Sequence, residues 1–215
     1  MAKQKTAVVF PRPHDNIAIE RKVIDAGKRL FRIHPSVYGG NQFNNTAHGD
    51  ARFSPVKDRT TGNIIPTIYA GDSTDVAICE VVFHDVDVSQ KEIVFEQKNL
   101  KDKSHTELEL NDDVIVAVID QVSVVTMRAG KKLIHCDAEE YIHTRAWAEH
   151  IYEQHKDIQG LEWPSRQHNG NAYVFFEDRI TSGTLKINTT DTLAHDRATR
   201  EKIVALAARM NIAIR

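Results

Sequence analysis

Cysteine is nearly missing from this 215-residue chain: only Cys79 and Cys136 occur. Two thiols cannot make a disulfide framework. Neither belongs to a CxxC pair or a zinc-ligand spacing, and Cys79, inside an apolar run, reads as core. Proline is sparse too, at six residues, and no low-complexity linker or internal repeat divides the chain, so a single domain over residues 1–215 is expected. No window approaches the ~20 apolar residues of a membrane-spanning helix. The opening "MAKQKTAVVFPRPHD" lacks the apolar run of a signal peptide, which makes cytoplasmic the expected location. Nor does charge of one sign prevail. Lys and Arg number 28 against 30 Asp and Glu, for a net charge of -2, so neither direct nucleic-acid binding nor a membrane contact is expected.

What is present is a mixture of short strand and helix signals. "KRLFRIH" alternates apolar and basic residues as a strand does. "PSVYGGNQFNNTAHGDARFSPVKDRTTGNIIP" is a long loop region rich in Gly, Asn, Pro and Asp, and long structured loops are often functional. "TIYAG" reads as a strand that leads into a helix started by Asp72, Ser73, Thr74 and Asp75, with Asp72 able to cap. Residues 89–113 read as a charged, exposed segment, and "VIVAVIDQVSVVTM" as one or two strands. "DAEEYIHTRAWAEHIYEQH" is an amphipathic helix with Tyr141, Ile142, Trp147, Ile151 and Tyr152 on its apolar side. "QGLEWPSRQHNG" reads mainly as turn and "AYVFF" as a strand, and "TREKIVALAARMNIAIR" is a helix with an extended tail. Strands interspersed with helices predict an α+β class, a mixed β-sheet with flanking helices.

Several kinds of chemistry find no support. His143 and His150 are close to two helical turns apart, and His84 precedes Asp85, but no HExxH or paired CxxC exists; the expectation is no metal. Walker, GxGxxG and GxSxG patterns are all missing.

One residue stands out. Glu80 lies within Val76, Ala77, Ile78, Cys79, Val81, Val82 and Phe83, apolar on every side, where a carboxylate demands a partner. An internal ion pair with an arginine is one answer; catalysis is the other. Arg32 interrupts the strand "LFRIH" and Arg52 ends the loop "HGDARFSP". Two planar guanidinium forks beside a glutamate make a diphosphate clamp. Tyr69 is either a stacking platform for a flat heterocycle or a core tyrosine. Ser165, in "WPSRQ", is either a donor to a sugar hydroxyl or an ordinary turn serine.

Taken in order, "LFRIH", "GDARFSP", "PTIYAGDSTDVAICEVVFH" and "TRAWAEHIYEQHKDIQGLEWPSRQHNGNAYVFFEDRI" resemble the RES domain family, named for its arginine, glutamate and serine. The resemblance is strongest over residues 28–180, and the matching positions are Arg32, Arg52, Tyr69, Glu80 and Ser165. The chain departs from the family pattern with phenylalanine for the usual tryptophan in "GDARFSP", with the insertion "VKDRTTGNII", and with a longer charged segment over residues 89–113.

The resemblance implies a fold similar to ADP-ribosyltransferases. It also implies a bacterial toxin of a toxin–antitoxin pair that consumes NAD by cleaving the nicotinamide–ribose bond, with water or phosphate as acceptor. Alternatives are an ADP-ribosyltransferase acting on a protein, and a noncatalytic domain that binds a nucleotide or a partner. On this reading Glu80 is the catalytic carboxylate, aided by Arg32 and Ser165. NAD, as substrate, is held by Arg32, Arg52, Tyr69 and Ser165. The implied partner is an antitoxin with an Xre-like DNA-binding domain, and assembly into higher oligomers is a further expectation.

Overall fold

The computed structural model describes residues 10–86 and 89–215. In chain order its strands are β1 (Glu20–Ile24), β2 (Arg29–Pro35), β3 (Val56–Lys57), β4 (Ile64–Ile65), β5 (Thr67–Gly71), β6 (Ile93–Phe95), β7 (Lys103–Leu110), β8 (Val114–Val118), β9 (Gly160–Pro164), β10 (Asn171–Phe176), β11 (Leu185–Thr192) and β12 (Ile212–Ile214). The α-helices are α1 (Thr74–Val81), α2 (Ser123–Thr126), α3 (Lys132–His135), α4 (Tyr141–Gln154) and α5 (Arg197–Arg209). Eight strands form the main sheet in the order β1-β8-β9-β10-β5-β2-β7-β11. All its pairs are antiparallel except β8 with β9, so the expected α+β class with a mixed sheet and flanking helices holds.

Alternation explains the largest departure from expectation. The segment over residues 89–113 is not merely an exposed charged stretch, because "KSHTELEL" buries Ser104, Thr106, Leu108 and Leu110 in strict alternation. A period of two is a strand signal even when half the positions are charged, and β7 pairs with β2 along seven residues. Other differences are smaller. "GLEWP" is the strand β9 rather than a turn, and part of "QVSVVTM" is the short helix α2. Ile142 points outward at 64% exposure while Tyr141, Trp147, Ile151 and Tyr152 are buried. β11 went unforeseen because its sequence, "LKINTTDT", is polar at nearly every position.

Three clusters make the core. Trp147 and Ile151 of α4 pack on Trp163, Val174 and Phe176 of the sheet. Ala77, Ile78, Cys79, Val82 and Phe83 in and after α1 meet Ile203, Leu206 and Ala207 of α5. Leu30, Ile68, Leu108, Val116 and Phe175 form a third. Each fully buried Val, Leu, Ile or Phe among them stabilises the fold by about 1.5–3 kcal/mol.

The insertion "VKDRTTGNII" forms the β3–β4 hairpin, turned by Asp58, whose Oδ1 accepts the N–H groups of Thr60 and Thr61. It docks on α4, where Lys57 N donates to Glu149 and Arg59 pairs with Glu153. The feature that positions the site is elsewhere. β2 and β5 meet in register at only one position, Phe31 opposite Gly71, and the sheet is split beyond it.

Candidate active site

α1 starts at Ser73, whose hydroxyl accepts Val76 N–H, so Ser73 rather than Asp72 is the cap. Asp72 does a different job: its Oδ2 accepts Asn171 N–H at 2.7 Å, tying β10 to the start of α1. Gly170 makes this approach feasible, since a Cβ there would stand 2.5 Å from Asp72 Oδ1 and 2.6 Å from Val76 Cγ2. The β9–β10 turn is closed by Ser165 N donating to Gly170 O. These contacts bring Ser165 beside the last turn of α1, where Ser165 Oγ donates to Glu80 Oε1 at 2.7 Å.

Glu80 is therefore not enclosed in an all-apolar helix. Its face of α1 opens to a cleft, leaving it partly exposed next to the exposed Val81. Of the two answers the sequence left open, the arginine ion pair does not form among the described residues. Arg52 donates to Cys136 Sγ and Cys136 O, and Arg32 to Gly40 O and Gln42 O. Solvent and the Ser165 hydroxyl solvate the carboxylate instead. Its place in the fold is an unfavourable one, since the last turn of α1 carries no basic residue and a carboxylate there meets the negative end of the helix dipole.

Arg52 is buried, with its ring of contacts set by α4 and β5. Tyr69 Oη accepts Phe53 N–H at 3.0 Å, and the Thr144 hydroxyl donates to Arg52 O. Tyr69 and Phe53 both pack edge-on against Trp163, at 5.6 and 5.0 Å between centroids. Burial pushes the Tyr69 hydroxyl far above its usual pKa, and the Glu80 charge adds to this while Arg52 opposes it. The Arg52 guanidinium lies over the Tyr141 ring, 5.0 Å from its centroid, a favourable cation–π contact.

Arg32 and Tyr69 sit in the split between β2 and β5. With Glu80, Phe31, Gly71 and Ala77 they line a small, largely apolar hollow of about 60 Å³. Burial pulls the Arg32 guanidinium down to about 10, and its buried Nε has no hydrogen-bond partner among the described residues. On the other side of Glu80 lies a cleft of about 430 Å³ that includes Arg52, Tyr141, His84 and Arg166. The two arginines thus do not stand side by side; they occupy two hollows that meet at Glu80.

Arg166 went unassigned in the sequence, while His84 was weighed only as a metal ligand and Tyr141 only as part of the apolar side of its helix. Arg166 Nη1 donates to Cys136 O at 2.9 Å, and His84 Nε2 lies 3.1 Å from Tyr141 Oη. Arg166 had a usable signal, being the neighbour of Ser165 in a proline-fixed turn. The histidines weighed as ligands have other contacts: His143 stacks on Phe10 at 4.9 Å, and His150 bonds to Arg59. Among the described residues no helix is long and apolar enough to cross a membrane.

Glu80, held by a hydroxyl, thus has Arg32 in one adjoining hollow and Arg52 and Arg166 in the other, so that positive charge lies on both sides of the carboxylate. The family model described as RES domain matches residues 29–195. The chain belongs to the RES domain family. The match runs from the first residue of β2 to just before α5 and contains Arg32, Arg52, Tyr69, Glu80 and Ser165. Among solved structures, a chain in the crystal structure of the M. tuberculosis MbcT–MbcA toxin–antitoxin complex has the same fold, with a TM-score of 0.62 at 17% identity, covering 85% of this RES chain and 92% of that one. No curated protein matches the chain.

Proposed function

We propose that this RES protein is a toxin that degrades NAD by breaking the bond between nicotinamide and ribose, with water or phosphate as acceptor. The observation that carries this reading is the 2.7 Å hydrogen bond from Ser165 to Glu80 at the junction of two arginine-bearing hollows. Cleavage sends the C1′–N electron pair onto the nicotinamide nitrogen, which leaves neutral, while positive charge develops on the ribose. The ionised Glu80 stabilises that charge as it forms. Water or phosphate then bonds to C1′, and with water the released proton passes to Glu80 or to solvent.

Ser165 holds one oxygen of Glu80 so that the other is oriented toward the ribose. Arg32, whose Nε lacks a partner, takes an oxygen of the pyrophosphate. Arg52 supplies positive potential from the opposite hollow, and Tyr69 forms the wall next to the nicotinamide ribose. The partner that restrains the toxin is an antitoxin with an Xre-like DNA-binding domain covering this cleft, and the assembly is a higher oligomer.

The test is purified wild-type protein and Glu80→Gln incubated with NAD, with and without phosphate, and nicotinamide and ribosyl products followed by chromatography. Nicotinamide release by wild type alone is the expected result, and the product names the acceptor. Equal release by the folded Glu80→Gln variant would overturn the role of Glu80. Label from NAD appearing on a protein would replace hydrolysis with ADP-ribosyl transfer.

A further inference from the structure

His84 lies just past the end of α1 and faces the cleft of about 430 Å³ that Glu80 borders. The reaction described above gives it no role, yet its ring is held at both nitrogens. Nδ1 lies 2.6 Å from Asp85 Oδ1, and Nε2 lies 3.1 Å from Tyr141 Oη. An ionised carboxylate only accepts, so Nδ1 carries the ring proton and Nε2 takes the Tyr141 O–H. Asp85, His84 and Tyr141 therefore form a hydrogen-bonded chain from solvent to the cleft wall. Asp85 ends it at 91% side-chain exposure. Tyr141, at the other end, is buried in the core and lines the cleft. Burial raises its hydroxyl above the usual pKa, with Arg52 and Arg166 opposing, so it stays a neutral donor.

The rest of the cleft bears on the acceptor. Its guanidiniums are already engaged: Arg52 donates to Cys136 Sγ and O, and Arg166 to Cys136 O and the Asp137 carboxylate. The carboxylates of Glu80, Asp85 and Asp137 outnumber them, which disfavours an anionic acceptor. Cys79, also in the lining, is pushed up to about 11 by burial and stays a neutral thiol. The open position in the wall is an acceptor. Gln167 Nε2 donates to Phe83 O at 2.9 Å, which fixes the amide and leaves Oε1 buried with no hydrogen-bond partner among the described residues. An amide oxygen lacking a donor suits an O–H group, which water brings without added charge.

We infer that the acceptor is water and that Tyr141 and His84 form the relay that takes its proton. As the water oxygen bonds to C1′ and the C1′–N pair leaves with nicotinamide, the water proton passes to Tyr141 Oη. The Tyr141 proton passes in turn to His84 Nε2, and Asp85 balances the imidazolium until solvent takes the proton. Glu80 stays ionised throughout, as its place opposite the ribose charge requires. The inference rests on the NAD reading above and names its acceptor.

Wild type, His84→Gln and Tyr141→Phe are incubated with NAD across about pH 5.5–8.5, with and without phosphate, and nicotinamide, ADP-ribose and its 1″-phosphate are quantified. Wild type should yield ADP-ribose even with phosphate present, at a rate that falls on acidification as the imidazole fills with protons. His84→Gln can accept the Tyr141 O–H but cannot hold a proton. It should lose about a hundredfold in kcat with KM for NAD unchanged, and its rate should no longer fall with acid. Tyr141→Phe keeps the ring under Arg52 and should show the same changes, with melting curves at each pH confirming that all three proteins are folded. Ribosyl phosphate as the main wild-type product would overturn the water assignment. A His84→Gln enzyme that keeps its kcat, or loses kcat while keeping the acidic fall, would overturn the relay. No nicotinamide from wild type under any condition would instead defeat the NAD reading, and the acceptor with it.

Discussion

Ser165 Oγ and Glu80 Oε1 stand 2.7 Å apart across a sequence separation of 85 residues. The contact joins the turn after β9 to the last turn of α1; Glu80 borders both hollows, whereas Ser165 is buried at 8% exposure behind it. Removing the hydroxyl leaves the carboxylate to water, so Ser165→Ala should lower kcat/KM for NAD about tenfold. Glu80→Gln removes the charge itself and should cost about a hundredfold or more. Circular dichroism and melting curves close to wild type are expected for both, because neither side chain packs in a core cluster. A Ser165→Ala enzyme with unaltered kinetics would remove the serine from the site.

Arg32 predicts a conflict between stability and function. Its guanidinium is pulled down to about 10 by burial, and among the described residues it makes hydrogen bonds only to the carbonyls of Gly40 and Gln42. A buried charge without a carboxylate partner is costly, and an apolar replacement of similar length removes that cost. Arg32→Met should melt at or above the wild-type temperature while its KM for NAD rises at least about tenfold. A variant that loses stability and keeps its KM would show Arg32 to be a structural residue.

Gly170→Ala is the most informative substitution outside the site. A methyl there would meet Asp72 Oδ1 at 2.5 Å and Val76 Cγ2 at 2.6 Å, so the turn must back away from α1. Overpacking of this kind costs about 1–3 kcal/mol, readable as a lower urea midpoint. Because the same turn carries Ser165, activity should fall at temperatures where the variant is still fully folded. Normal activity in the folded variant would mean that the turn relaxes without moving Ser165.

Four histidines set a pH dependence of stability. His34, His105, His150 and His155 are all lowered from the usual value of 6.5, each mainly by burial. The unfolded chain therefore binds more protons than the native state as pH falls below about 6.5, so stability decreases with acidification. The loss levels off once pH is below the folded values. Urea unfolding should give a lower midpoint at pH 5.5 than at pH 7.5. His34 is 2% exposed, with Nε2 2.8 Å from Thr106 Oγ1, and His34→Gln should flatten part of the slope. An unchanged slope would assign the effect to other groups.

Local chemistry was enough to read α1, β5 and α4 from the sequence, because caps, apolar period and β-branched content act within a few residues of each other. The ordered blocks from "LFRIH" to "WPSRQ" were enough to mark Arg32, Arg52, Tyr69, Glu80 and Ser165. Charge hid β7: Lys103, His105, Glu107 and Glu109 concealed an alternation whose other half is buried. β11 offered no alternation to find, since only Leu185 of its eight residues is buried. Only the tertiary structure decided that Glu80 answers to Ser165 rather than to an arginine, that Arg32 and Arg52 lie in separate hollows, and that the sheet splits beyond Phe31 and Gly71. Those facts depend on strand pairing and on the close approach of Gly170 to α1, contacts between distant segments that no local pattern encodes.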